Sequence, residues 1–336
     1  MIVDGHNDLV SRIWRGDEIR HVHLEQAADA HFAGGFFALY VPSPKPANPT
    51  SAHYALPLPE PIPREEATRV ADELYEVFHS LPVRLATSPD DFRPGRVAAI
   101  LHLEGAEPLA PDLSDLDAWY ERGLRSVGPV WSRANAFAEG VPFRFPSTGD
   151  TGPGLTAAGH ELVRRCNELG ILVDLSHLNE AGFWDVARLS SAPLVATHSN
   201  AHALCPSSRN LTDAQLDAIG ASGGVVGVNF AVSFLREDGG QEAATPLGEI
   251  VRHVEYIAGR IGIEHVAFGS DFDGALVSEE LGGIAGFPKL VDALRAAGFD
   301  DEDVAKVTHR NWLRVLGDTW SAAARPDGGP ARRGTP

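Results

Sequence analysis

The strongest constraint in this sequence is an alternation that runs along nearly its whole length. Eight short apolar, β-rich runs, at residues 1–3, 35–41, 97–103, 124–131, 171–175, 193–197, 224–230 and 265–269, are separated by longer segments, several of helical periodicity. The helical patterns fall at 64–79, 155–169, 212–219 and 247–261, and two more, 286–297 and 301–316, follow the last run. In 155–169, Thr156 can cap, and Leu162, Val163, Cys166 and Leu169 recur on one face. Near-continuous apolar strands alternating with amphipathic helices specify a parallel sheet covered by helices. Eight such units predict an α/β fold, a closed (β/α)8 TIM-like barrel. An open doubly wound sheet is the competing arrangement, but no G-x-G-x-x-G follows a strand-like run. The expected organisation is one domain over 1–320 and a polar C-terminal tail over 321–336.

Two long segments interrupt the alternation. Residues 42–63 are rich in proline, and 132–154 carry glycine, proline and Phe137, Phe143 and Phe145. Both follow strand-like runs directly, at the end of a barrel where active sites form, and loops of that length commonly act as lids or binding loops.

Residue types that bind metals fall at the ends of the strand-like runs. The first run leads into D-G-H-N-D, with Asp4, His6 and Asp8 at alternate positions, so His6 and Asp8 share a face of the extended chain. Glu104 ends the third run, His177 the fifth, His198 the sixth, and Asp271 and Asp273 the eighth. A barrel gathers these tips around one mouth, the C-terminal face on which its active sites lie. Imidazole and carboxylate without thiolate suit zinc or a neighbouring divalent ion. The set exceeds what one tetrahedral zinc needs, which implies two ions, and Glu104 is the candidate to bridge them. A carboxylated lysine is another bridge used by such barrels, but Lys45, Lys289 and Lys306 lie on no predicted strand tip. His102, two residues before Glu104, is expected deeper in the core. His160, His253 and His309 fall in helical stretches as packing or surface residues, and His202 lies in a loop near His198.

Composition narrows the partners. A formal net charge of −18 argues against nucleic acid or an anionic membrane. Cys166 and Cys205 form no C-x-x-C pair and are expected as free thiols, in keeping with a reducing compartment. The first residues show no signal-peptide pattern and no stretch is long enough to span a bilayer, so the expected location is cytoplasmic.

Taken in order, D-G-H-N-D-L (4–9), E-G (104–105), D-L-S-H (174–177), T-H-S (197–199), S-R-N (208–210) and D-F-D-G (271–274) resemble the membrane (renal) dipeptidase family, in its cytoplasmic bacterial branch. The resemblance extends from Asp4 to about Leu316. It implies His6 and Asp8 on one zinc, His177 and His198 on a second, and Glu104 bridging. It implies that Asp271 moves protons between nucleophile and leaving amine, and that Arg209 pairs with the terminal carboxylate of the substrate. The guanidinium fork suits that task, although from the residues alone a surface arginine making only a salt bridge is the better reading of Arg209. A homodimer and tolerance of a D-residue C-terminal to the cleaved bond are further implications. Two departures stand out. The family's E-G-G-H is here E-G-A-E, ending in Glu107, and the family's substrate-contacting histidine after the fourth strand is here Trp131.

The function expected is binuclear, zinc-dependent hydrolysis of a dipeptide or a similar N-acyl amino acid. A barrel amidohydrolase acting on a lactam, cyclic amide or ester is the alternative enzyme, and a non-catalytic metal-containing binding protein is the alternative of another class.

Overall fold

A computed structural model describes residues 1–43 and 60–321. Most of the proline-rich segment 42–63, including Lys45 and His53, and the tail from Ala322 lie outside the described residues.

Eight parallel strands form the barrel wall, and a two-residue strand lies beside them. They are β1 (Ile2–Asn7), β2 (Phe32–Tyr40), β3 (Arg84–Leu85), β4 (Ala98–Glu104), β5 (Leu124–Gly128), β6 (Leu172–Val173), β7 (Val195–Ala196), β8 (Val225–Asn229) and β9 (Val266–Gly269). One sheet runs β1-β2-β4-β5-β6, with the short β3 beside the start of β4, and a second runs β7-β8-β9. Two parallel bridges, Asp174 with Val195 and Asn7 with Phe272, join the sheets and close the ring. The eight runs expected from the sequence are the eight barrel strands. Their extents differ: β1 continues to Asn7, so His6 lies inside it, β6 and β7 shorten to two residues each, and β5 stops at Gly128, because Pro129 has no N–H for the ladder.

Helices cover the outside as the periodicity predicts. Arg64–Ser80, Ala157–Leu169, Asp213–Ala221 and Gly248–Ile261 each turn an apolar stripe to the sheet. Thr156 caps its helix by accepting from the Gly159 N–H at 3.1 Å, and Thr212 forms a capping box with Gln215. Leu9–Arg15, Leu116–Glu121 and Glu180–Leu189 are helices that the sequence pattern did not single out. The last of these starts on an Asn179 cap, whose Oδ1 accepts from Gly182 N–H at 2.8 Å.

Inside the ring, Val3, Phe36, Ile100, Leu172, Val195, Val225 and Ala267 fill the lower layers. Trp312, from the helix Asn311–Trp320, plugs the N-terminal end: it is fully buried and donates from Nε1 to Phe268 O at 3.0 Å. Room for the indole comes from Gly5 and Gly227, where an added Cβ would lie 2.6 and 3.1 Å from its ring. With its lower end plugged, the barrel is open to ligands at the C-terminal face. Strand register sets that face, placing Tyr40 beside Glu104 and Glu104 beside Gly128.

Candidate metal centre

The strand tips bring His6, Asp8, Glu104, His177, His198 and Asp271 together. His6 Nε2 lies 3.6 Å, His177 Nε2 3.1 Å and His198 Nε2 3.6 Å from one oxygen, Oε1 of Glu104. His6 Nε2 is also 3.4 Å from Asp8 Oδ2. Among the described residues, two overlapping groups have metal-binding geometry, His6–Glu104–His198 and His6–Asp8–Asp271. All are buried except Asp271, which keeps partial access to solvent.

The electrostatics of this cluster favour a cation. Burial alone would lower the pKa of His6, but Glu104, Asp8 and Asp271 carry it up to about 10. Neither ring nitrogen of His6 has a hydrogen-bond partner, although the residue is fully buried. A buried polar group left in that state is costly, and the carboxylates that favour a proton on the imidazole favour positive charge at this point in general. Burial holds His177 and His198 well below the usual histidine range, so both are neutral and able to ligate. Burial raises Glu104 well above its ordinary value, partly offset by His6, and likewise raises Asp271. The donor set therefore fits divalent ions.

Outer groups orient the ligands. Asp174 Oδ2 accepts from the Thr197 hydroxyl at 2.6 Å, and Thr197 Oγ1 meets His198 Nδ1 at 2.8 Å. Ser132 Oγ meets His177 Nδ1 at 2.8 Å. Asn229 Nδ2 donates to Asp271 Oδ2 at 2.9 Å, and Ser270 ties Asp4 to the end of β9. His177 and Asp271 adopt φ of +66° and +59°, a left-handed conformation that side chains other than glycine rarely take, and such strain gathers at functional sites. Asp174, Thr197, Ser132 and Asn229 were not among the candidates from sequence. Thr197 and Asp174 do sit within the motifs quoted for their histidines, and that adjacency was the available signal.

The other sequence candidates take distinct places. Asp273 serves the scaffold, accepting N–H bonds from Arg20, His21 and Val22. His102 is buried as expected, 2.9 Å from Ser126 Oγ. His202 Nε2 is bound to Ser147 O at 2.8 Å. Arg209 is buried rather than on the surface, 4% exposed. Its Nη2 donates to His198 O at 3.2 Å, and its guanidinium lies 5.5 Å from the Phe234 ring. Trp131 stands half-buried beside His177, with ring centroids 5.6 Å apart.

Residues 1–327 match the membrane dipeptidase family, peptidase family M19. The chain belongs to that family. An uncharacterised protein in the pqqA 5′ region of Klebsiella pneumoniae is 54% identical over 224 residues, 67% of this chain and 83% of that protein. A dipeptidase of Clonostachys rogersoniana is 30% identical over 345 residues, 94% of this chain and 83% of the relative. A metallopeptidase from Rhodobacter sphaeroides, whose crystal structure holds a phosphinate mimic of L-Ala-D-Ala, is similar with a TM-score of 0.91 at 45% identity, covering 95% of this chain and 99% of the other. This M19 chain is accordingly a metallo-dipeptidase on the TIM-like barrel that its sequence predicts. No helix among the described residues is long and apolar enough to cross a membrane.

Proposed function

We propose that this M19 chain holds two divalent ions, with zinc the best match to its donors, and hydrolyses dipeptides that carry a free terminal carboxylate, L-Xaa-D-Xaa among them. The observation that carries this is the convergence of three imidazole Nε2 atoms on Glu104 Oε1, all within 3.6 Å. His6 and Asp8 would hold one ion, His177 and His198 the other, with Glu104 shared between them. When bound, such ions supply Lewis acidity that acidifies water and polarises a carbonyl.

The chain's own groups do the rest. Asp271 sits where burial raises its pKa and solvent still reaches it, which suits a carboxyl that takes a proton and delivers it to the leaving nitrogen. Asn229 holds Oδ2 of that carboxyl and leaves Oδ1 for the proton. Arg209, buried without a carboxylate partner among the described residues, receives the terminal carboxylate of the substrate. Trp131 borders the site on the side of His177. The buried, unpaired Cys166 and Cys205 suit a cytoplasmic enzyme, and the family supports a homodimer built from one domain over 1–320.

A dipeptide library with L and D residues at both positions, assayed on the zinc-loaded enzyme, tests the proposal. Turnover of free dipeptides is expected. Turnover confined to lactams, cyclic amides or esters would overturn it.

A further inference from the structure

Glu107 and Trp131 meet in space through Arg133. The Arg133 guanidinium is fully buried and lies 2.9 Å from the carboxylate of Glu107, itself 1% exposed. It donates to Val41 O at 2.7 Å and to Ser43 Oγ at 2.6 Å, just beyond the end of β2. Its guanidinium carbon stands 5.4 Å from the Trp131 ring and 5.8 Å from the Tyr40 ring, within cation–π range. Trp131 and Tyr40 are themselves in contact, with centroids 4.8 Å apart. Glu107 neutralises the Arg133 guanidinium, and the outcome is an aromatic surface at Trp131 backed by a buried ion pair, with the Arg15 guanidinium 5.8 Å from the Tyr40 ring at its edge.

That surface continues as a row. Trp131 is followed by Phe143 at 5.4 Å, Phe143 by Phe234 at 6.3 Å, and Phe234 carries the guanidinium of Arg209 at 5.5 Å. Both Trp131 and Phe143 border His177, and Tyr40 pairs in register with Glu104. Tyr40, Trp131 and Phe143 are only half-buried, while the ligand candidates beneath them are closed off. The row thus starts at Arg209, passes the metal-ligand candidates and ends at Tyr40. A dipeptide with its carboxylate on Arg209 and its amide at Glu104 and His177 must place its N-terminal residue against Trp131 and Tyr40.

We propose that Trp131 and Tyr40, held by the buried Glu107–Arg133 pair, form a neutral apolar subsite for the side chain of the substrate's N-terminal residue. The subsite selects aromatic and branched aliphatic side chains over cationic ones, and it rests on the dipeptidase function proposed above. Trp131 and Tyr40 touch the substrate, whereas Glu107 and Arg133 are positioning residues. Contact with a flat apolar wall favours Phe or Leu, and a cationic side chain there loses hydration and meets the Arg15 guanidinium beside Tyr40.

The test is kcat/KM on the zinc-loaded enzyme for Xaa-D-Ala, with Xaa as Phe, Leu, Gly, Glu, Gln or Lys. Phe and Leu are expected to exceed Gly by about tenfold or more, with Lys below Gly. Trp131→Phe should keep that ranking and Trp131→Ser should flatten it, at unchanged metal content. Glu107→Gln leaves the guanidinium uncompensated behind the wall, so the ratio of Glu-D-Ala to Gln-D-Ala should rise about tenfold, a readout that lost stability alone would not move. Efficient hydrolysis with a flat ranking in the wild type overturns the subsite and leaves the dipeptidase function standing. Hydrolysis of no dipeptide at all overturns both. A ratio unmoved in folded Glu107→Gln removes the ion pair from the proposal.

Discussion

His177 and His198 meet Nε2 to Nε2 at 3.0 Å, yet their outer nitrogens rest on hydroxyls of different character. The Thr197 hydroxyl spends its proton on Asp174 Oδ2, so its oxygen can only accept from His198 Nδ1–H. That leaves His198 Nε2 as a bare lone pair aimed into the cluster. Ser132 has no other hydrogen-bond partner among the described residues, and its hydroxyl can turn either way toward His177 Nδ1. One ligand is fixed as a tautomer before any ion arrives, and the other adapts.

The asymmetry predicts unequal losses. Thr197→Val removes the acceptor and frees the wrong His198 tautomer, so affinity for the ion held by His198 should fall about 10- to 100-fold. Ser132→Ala should cost clearly less. Competition against a chromogenic chelator measures both. Equal losses would show that the Asp174 carboxylate behind Thr197 does not fix the ligand.

Metal content should follow the shared position of Glu104. Up to two divalent ions per chain are expected by elemental analysis of purified protein. Glu104→Gln should deplete both, and His198→Ala mainly one. A single tightly bound ion indifferent to Glu104 would remove the bridging assignment.

Arg209 should show itself through the substrate's charge. Arg209→Met is expected to weaken kcat/KM for free dipeptides by about 2–5 kcal/mol, the cost of losing a buried charged hydrogen-bond partner. The corresponding C-terminal amides should lose far less. Equal losses on both would mean that Arg209 acts on the fold through His198 O and Ser199.

Away from the metal centre, His253 should make stability depend on pH. Its Nδ1 accepts from Ala201 N–H at 3.1 Å and its Nε2 donates to Leu235 O at 3.0 Å, an arrangement only the neutral ring can make. Burial lowers its pKa from 6.5 to about 4. Because the folded value lies below the unfolded one, the unfolded chain binds more protons between them. The contribution of His253 is therefore complete above pH 6.5 and is lost as pH falls toward 4, about 3 kcal/mol over that window. Denaturant unfolding of wild type and His253→Gln from pH 7 to pH 4 checks this: the wild type should lose more stability than the variant by that amount. Parallel curves would show that the ring's protonation is not coupled to folding.

What the sequence by itself determined are the features that repeat locally. Alternation of apolar runs and helical periodicity is written into neighbouring residues, so the eight barrel strands and the main helices could be read directly. The metal-binding residue types could be read for the same reason: a barrel sends every strand tip to one mouth, and His6, Asp8, Glu104, His177, His198 and Asp271 stand at those tips. The helix Glu180–Leu189 escaped that reading. Tertiary structure alone decided which side chains would be partners across strands. Asp174 reaches Thr197 only because the bridge from Asp174 to Val195 closes the two sheets. Glu107, Arg133 and Trp131 look like separate oddities in the chain until the loops after β4 and β5 fold over the end of β2. Arg209, which the residues alone place on the surface, is buried in the tertiary structure. Periodicity depends on residues a few positions apart, whereas these pairings depend on strand register and ring closure, which no local stretch of sequence contains.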